Sequence, residues 1–260
     1  MISPKRPTLL LLHGFLGSPD DWQGVVAALP EIHCIAPALP GHAGSPVPKG
    51  LSHESVVDFL LQYLDDKGIA RCSVLGYSMG GRIAMQLALR SPQRVQLLIA
   101  ESANPGIEDE ALRRARAAQD DALATQLAES DFADFLQGWY SQPLFATLSP
   151  AQRDTLLRRQ GIPVALAAAL RALSVGRQES LGPRLTSLTC PVHFIVGQKD
   201  AKYCRIAESA TSSCHIVPGA GHNVHLEKPE AFLALLKELL ANSDLHSRAD
   251  SAISEVSTFS

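Results

Sequence analysis

Six residues constrain this chain more than any other feature: Gly76-Tyr77-Ser78-Met79-Gly80-Gly81. They follow an apolar run, Cys72-Ser73-Val74-Leu75, with the character of a strand. They precede a stretch whose apolar spacing at Ile83 and Leu87 predicts a helix ending at Ser91-Pro92. A strand that turns this sharply into a helix forces its middle residue into a strained backbone, and a Cβ on either flanking glycine would clash. The Ser78 hydroxyl is then exposed above the strand end, beside a helix N-terminus whose N–H groups favour developing negative charge. A G-x-S-x-G match by itself is compatible with an incidental serine in a glycine-rich turn. The strand before it and the helix after it select the nucleophile elbow.

The surrounding pattern is the one such an elbow requires. Short apolar runs at 8–12, 32–36, 71–75, 95–100, 193–196 and 214–217 predict strands, most of them continuous rather than alternating, as in parallel strands covered on both faces. Helices are expected near 22–29, 52–67, 80–90, 201–210 and 229–241. This βαβα order calls for a mostly parallel sheet with helices on both faces, joined by right-handed crossovers. One stretch breaks the alternation. Residues 106–181 contain no convincing strand, are rich in Ala, Leu, Arg and Gln, and carry helical spacing such as Leu112, Ala115 and Gln119. They are expected to form a helical cap inserted into a core made of 1–105 and 182–242. The Ser-rich residues 243–260 lack apolar periodicity and are expected to be a disordered tail.

A serine hydroxyl is a weak nucleophile or base alone and needs a histidine and an orienting acid. In the α/β-hydrolase fold, the class expected here, the acid and then the histidine follow the serine in chain order. Asp200 ends the run Val196-Gly197-Gln198-Lys199-Asp200, and His222 lies in the glycine-rich loop after the last strand. Both stand at carboxyl ends of strands, where α/β sheets build their sites. Glu101 is the rival acid, and His13, His42 and His225 are the rival histidines. Asp200 and His222 are preferred, and His13 and His42 fall on loops able to line a pocket. In Leu12-His13-Gly14-Phe15-Leu16-Gly17, a loop after the first strand can aim the Phe15 amide at the same point as that of Met79, forming an oxyanion hole.

Composition narrows the partners. A net charge of −3 argues against nucleic acid or an acidic membrane surface, and no apolar run is long enough to span a bilayer. No leader is evident before the first strand. Five cysteines without C-x-x-C spacing argue against disulfides or zinc and for free, buried thiols in the cytoplasm. No metal or organic cofactor is implied, and nothing sets an oligomeric state. From residue 69 to 198 every basic residue except histidine is arginine. Arginine grips carboxylates through two parallel bonds. Arg113, Arg114, Arg116, Arg153, Arg158, Arg159, Arg171 and Arg177 lie in the cap segment, several on solvated faces with Asp120, Glu129 or Asp154 as partners. Two or three are expected to turn into the pocket. Arg82, one helical turn past Ser78, is the best placed, and a small-molecule anion fits such a pocket better than a neutral lipid.

The elbow with its Arg82, the stretch Glu101-Ser102-Ala103-Asn104-Pro105-Gly106, the cap motif Trp139-Tyr140-Ser141-Gln142-Pro143-Leu144-Phe145, the segment Gly197-Gln198-Lys199-Asp200-Ala201-Lys202-Tyr203 and the loop Gly219-Ala220-Gly221-His222-Asn223-Val224-His225 recur together in one family. Over residues 9–240 the chain resembles the 2-succinyl-6-hydroxy-2,4-cyclohexadiene-1-carboxylate synthases of menaquinone biosynthesis, which use a hydrolase scaffold as a lyase. The resemblance implies elimination of pyruvate from a cyclohexene tricarboxylate. Ser78, His222 and Asp200 would act as the proton-abstracting base, and Phe15 and Met79 would hold the oxyanion. It assigns substrate carboxylates to Arg82, Arg116 and Arg158, with Arg159 the alternative to the last, and pocket walls to Tyr77 and Trp139. Ala38 and Ala43 depart from residues common in the family, Asp and Gly, in a loop. The residues alone leave open a carboxylesterase, thioesterase or carbon–carbon bond hydrolase on the same triad.

Overall fold

The computed structural model describes residues 6–211 and 213–257, with side chains as far as 243. Residues 1–5, where the absence of a leader was read, and 258–260 of the expected tail lie outside the described residues. Six strands, β1 (Thr8–Leu12), β2 (His33–Ile35), β3 (Cys72–Tyr77), β4 (Val95–Glu101), β5 (Val192–Gly197) and β6 (Cys214–Val217), form one sheet in the order β2-β1-β3-β4-β5-β6. Every pairing is parallel.

Helices α1 (Gln23–Ala28), α2 (His53–Asp66) and α3 (Met79–Arg90) belong to the first half of the sheet. Between β4 and β5 lie α4 (Glu110–Glu129), α5 (Phe132–Tyr140), α6 (Pro150–Leu157), α7 (Pro163–Ala172) and the single turn α8 (Gly182–Leu185), with no strand among them. The chain closes with α9 (Ala201–Ala210), the single turn α10 (Val224–Glu227) and α11 (Pro229–Ser257).

The period-two direction of strand side chains splits the core into two layers. Leu10, Leu12, Val74, Leu98 and Phe194 pack on one face with Val56 and Leu60 of α2, Ile83 of α3 and Ala207 of α9. Leu9, Leu11, Leu75, Ile99 and Ile195 pack on the other with Val25 of α1 and Phe232 and Leu236 of α11. Burial on both faces explains why these strands are apolar without interruption. A third cluster joins Leu127, Phe135, Tyr140, Phe145 and Leu166 of the inserted helices to Leu16 of the loop after β1.

Strand order reverses between β1 and β3, because β2 lies on the outer side of β1 while β3 starts the run toward β6. At such a switch point the loops leaving adjacent strands part to opposite faces and open a crevice at the carboxyl ends. The Phe15 loop and the Ser78 elbow leave the sheet there, with Leu12 paired to Gly76.

The tail expectation needs correction. The backbone of α11 continues as helix to Ser257, past residue 242. Adding a turn to an anchored helix avoids the nucleation cost that a free segment would face. Among the described residues no helix is long and apolar enough to cross a membrane. All five cysteines are free, but only Cys72 and Cys190 are fully buried. Cys34, Cys204 and Cys214 are half-buried, because they lie on an edge strand or beside one.

Candidate active site

The elbow is built as its glycines demand. Ser78 has φ 50° and ψ −108°, a left-handed conformation that a non-glycine residue occupies only under strain. Two contacts hold it there. The Ser78 amide donates to the Glu101 carbonyl at 2.8 Å, extending the β3–β4 ladder into the turn. The α3 backbone also presses on its neighbours. A Cβ on Gly76 would lie 2.3 Å from the Gly80 oxygen, and one on Gly80 would lie 2.1 Å from the Leu12 oxygen. Met79 is the first residue of α3, so its N–H has no partner within the helix.

Asp200 follows β5 and caps α9, accepting the Tyr203 amide at 3.2 Å. Its other oxygen lies 2.7 Å from His222 Nδ1, and His222 Nε2 lies 3.4 Å from Ser78 Oγ. With Nδ1 donating to the carboxylate, Nε2 is left to accept the serine proton. The serine contact is long, as is common in a site without substrate. His222 is buried, wedged between the rings of Tyr203 at 4.5 Å, Tyr77 at 5.5 Å and Phe145 at 6.0 Å.

The rival residues have other partners. Glu101, fully buried, binds His225 Nδ1 at 2.7 Å and the His225 amide at 3.0 Å. Trp22 stacks on that imidazole at 4.5 Å. His13 bonds the Gly14 carbonyl and accepts the Leu39 amide, while His42 bonds the Pro40 carbonyl. Burial pushes His13 down to about 4 and His42 to about 3, so both are neutral loop braces.

A cavity of about 490 Å³ opens over Ser78. Phe15, Met79, Tyr77 and Trp139 all line it, as do Arg82 and Arg116. Arg158 does not. It is exposed at the C-terminal end of α6, and Arg159 takes the inward position. Arg159 donates to the Leu16 carbonyl at 2.5 Å and to Asp21 at 2.7 Å. Successive residues at a helix end point about 100° apart, so one position decides which guanidinium enters the pocket. Arg116 is held by Asp120 at 2.9 Å across one helical turn; Asp120, expected on a solvated face, is buried and lines the cavity. Arg114 pairs with Glu110 and Arg177 with Asp121; neither lines the cavity. Among the described residues Glu129 and Asp154 form no ion pair.

Some contributors had no signal in the sequence. Asp21, 138 residues from its arginine, could not be found by spacing. Tyr203 and Phe145, by contrast, fall inside motifs already singled out. Trp139 sits between Phe15 at 5.1 Å and Phe135 at 6.0 Å, which joins the inserted helices to the Phe15 loop. Among the described residues no cluster of three metal-ligating side chains occurs. The cavity brings together a serine with a histidine at its hydroxyl, the residues Phe15 and Met79, and three arginines, Arg82, Arg116 and Arg159.

Comparison with known proteins gives concordant matches. Residues 9–235 match the model of the alpha/beta hydrolase family. A 2-succinyl-6-hydroxy-2,4-cyclohexadiene-1-carboxylate synthase of Serratia proteamaculans is 39% identical over 91% of this chain and 94% of its own length. One of Enterobacter sp. is 38% identical over 91% and 93%. The solved structure of MenH from S. aureus superposes with a TM-score of 0.88 at 26% identity, covering 94% of this chain and 96% of that one.

Proposed function

The chain belongs to the alpha/beta hydrolase family and, within it, to the 2-succinyl-6-hydroxy-2,4-cyclohexadiene-1-carboxylate synthases, and from that premise we infer that it eliminates pyruvate from 2-succinyl-5-enolpyruvyl-6-hydroxy-3-cyclohexene-1-carboxylate in menaquinone biosynthesis. The observation that carries this reading is the convergence of Arg82, Arg116 and Arg159 on the cavity that holds Ser78 and His222. Three fixed cations suit a substrate with three carboxylates.

Ring carbon 2 of that substrate bears the succinyl ketone, so its proton is acidic. Ser78 passes its own proton to His222 and takes the ring proton, while Asp200 stabilises the imidazolium. The C–H electron pair moves toward the ketone oxygen, where the Phe15 and Met79 amides stabilise the charge. The pair then returns through the ring double bond and expels the oxygen on carbon 5. The leaving group is the enolate of pyruvate, and the proton it gains restores the triad. The ring is left a 2,4-diene. Atoms and electrons balance without an oxidant or reductant, so the reaction needs no redox cofactor.

In this reading residues 106–181 are the cap that encloses the substrate, and 1–105 with 182–242 carry the chemistry. Tyr77 and Trp139 wall the pocket. Five free cysteines support a cytoplasmic setting. The test measures pyruvate release from the enolpyruvyl substrate by wild type and Ser78→Ala, with p-nitrophenyl acetate alongside. Fast release abolished by the substitution, with weak esterase activity, is expected. Robust Ser78-dependent ester hydrolysis without pyruvate release would keep the triad and overturn the lyase assignment.

A further inference from the structure

The three arginines of the cavity are not equivalent. Arg116 has Asp120 and Arg159 has Asp21, each a carboxylate within 2.9 Å. Arg82 has none among the described residues. Its Nη1 instead meets two neutral acceptors, His53 Nε2 at 3.3 Å and Gln178 Oε1 at 3.2 Å. Its Nη2 and Nε make no hydrogen bond to any described residue, and the side chain lines the cavity beside Ser78.

Both acceptors are themselves fixed. Gln178 is buried, and its amide nitrogen donates to the Pro105 carbonyl at 2.9 Å, which sets the orientation that presents Oε1 to Arg82. Gln86 donates to the same oxygen at 3.3 Å. His53, also buried, is the first residue of α2, next to the Ser52 cap. Burial first, and the Arg82 charge second, push its imidazole down to about 4, while Glu54 and the Leu173 carbonyl act the other way. At neutral pH its Nε2 therefore carries a lone pair. Burial likewise brings Arg82 down to about 10, which still leaves it a cation at that pH.

We propose that His53 and Gln178 are positioning residues for Arg82, neutral acceptors that fix one arm of its guanidinium while leaving the charge for a substrate carboxylate. The inference rests on the carboxylate-bearing substrate of the lyase reading. Its physical basis is the cost of a half-buried cation without a counterion. Two dipoles offset part of that cost, and an incoming carboxylate meeting the open Nη2 and Nε offsets the remainder. A carboxylate partner in the protein would hold the guanidinium as firmly but would compete with the substrate for it. Arg82 is thus the anchor whose affinity is kept for the ligand, while Arg116 and Arg159 share theirs with the protein.

A purely structural role is the competing explanation, since Gln178 also ties the end of the inserted segment to Pro105. A double-mutant cycle separates the two. His53→Leu and Gln178→Leu are made in wild type and in Arg82→Ala, and kcat and KM for pyruvate release are measured with melting temperatures. Each substitution should lower kcat/KM about tenfold in wild type, mainly through KM, and less than about twofold once Arg82 is gone. His53→Gln, which keeps a neutral acceptor, should recover most of the loss. Equal losses in both backgrounds would overturn the proposal.

Gln178→Glu tests the charge directly. Calorimetry with tricarballylate, a small tricarboxylate, should show binding weakened by about tenfold or more. Wild-type affinity in a folded Gln178→Glu protein would overturn the reserved-charge role. The same cycle read by tricarballylate binding decides the proposal even if wild type releases no pyruvate, an outcome that would refute the lyase reading alone. Tricarballylate binding unaffected by Arg82→Ala would overturn the proposal as well.

Discussion

Adding one methyl group at Gly80 should separate the two halves of the proposed oxyanion hole. The Cβ of an alanine there would stand 2.1 Å from the Leu12 oxygen and 2.6 Å from the His13 oxygen. Real Cβ atoms essentially never approach closer than 3.0 Å, and both obstacles are backbone rather than a flexible side-chain tip. Relief therefore requires the end of β1 and the start of α3 to move apart by roughly 1 Å. The loop leaving β1 carries Phe15, three residues past Leu12, and α3 opens on Met79. A misplacement of about 1 Å in a catalytic array costs on the order of a hundredfold in rate. The overpacking itself should cost about 1–3 kcal/mol, and each kcal/mol lowers Tm by about 2–4 °C in a chain of this size. The assay is kcat for pyruvate release coupled to lactate dehydrogenase, with a thermal melt followed by circular dichroism. Gly138→Ala is the control. That glycine is exposed in α5 with open space around its Cβ, so the change should add about 0.5–1 kcal/mol of stability with kcat unaltered. A Gly80→Ala enzyme that melts early yet keeps wild-type kcat would refute the coupling of this contact to the proposed oxyanion hole.

The two acids should respond differently to neutralisation. Asp200→Asn should lower kcat by about 10³–10⁴ because His222 loses the partner that sets its tautomer. Glu101→Gln should cost about 1–3 kcal/mol of stability through the His225 pair while kcat of the folded enzyme stays within about threefold; a collapse in kcat would make Glu101 the working acid. Arg158→Ala should leave KM unchanged, whereas Arg159→Ala should raise it about tenfold or more, and the reverse ranking in a KM series would return the carboxylate role to Arg158. Stability should fall as pH drops from about 6.5 toward 4. His13, His42 and His53 are held neutral by burial in the folded chain, so the unfolded chain binds more protons across that window. The loss is on the order of 3 kcal/mol per group by pH 4 and levels off once the folded-state values are passed. Urea midpoints flat between pH 7 and 4.5 would contradict it.

How legible the molecule was depends on the range of the interactions that decide each feature. The strands at 8–12 and 214–217 match their sequence expectation because their apolar runs must be covered on both faces wherever they lie. The elbow is equally local. Glycines at 76 and 80 report a backbone approach that no other residue permits, and the strained Ser78 lies between them. Chain order and strand ends were enough to pair Asp200 with His222 and to set both against Ser78. Asp120 was named as an arginine's partner, and it pairs with Arg116 four residues away on the same helix, though buried rather than solvated.

Long-range packing decided the rest. Glu101 ends β4 and Asp200 follows β5, and what separated them was His225, which reaches back 124 residues to take the former. Arg158 and Arg159 are neighbours of identical chemistry. Which one turns inward was decided where α6 ends and by Asp21 and the Leu16 carbonyl in a loop far away in sequence. The neutral clamp on Arg82 draws on α2, α3 and the end of the inserted segment, three elements that meet only in the folded chain. Backbone geometry and apolar periodicity act between residues a few positions apart, so the sequence by itself determined the scaffold and pointed to the meeting of Ser78, His222 and Asp200. The charge partner of a guanidinium is whichever acceptor folding brings within about 3 Å, and only the tertiary structure decided that.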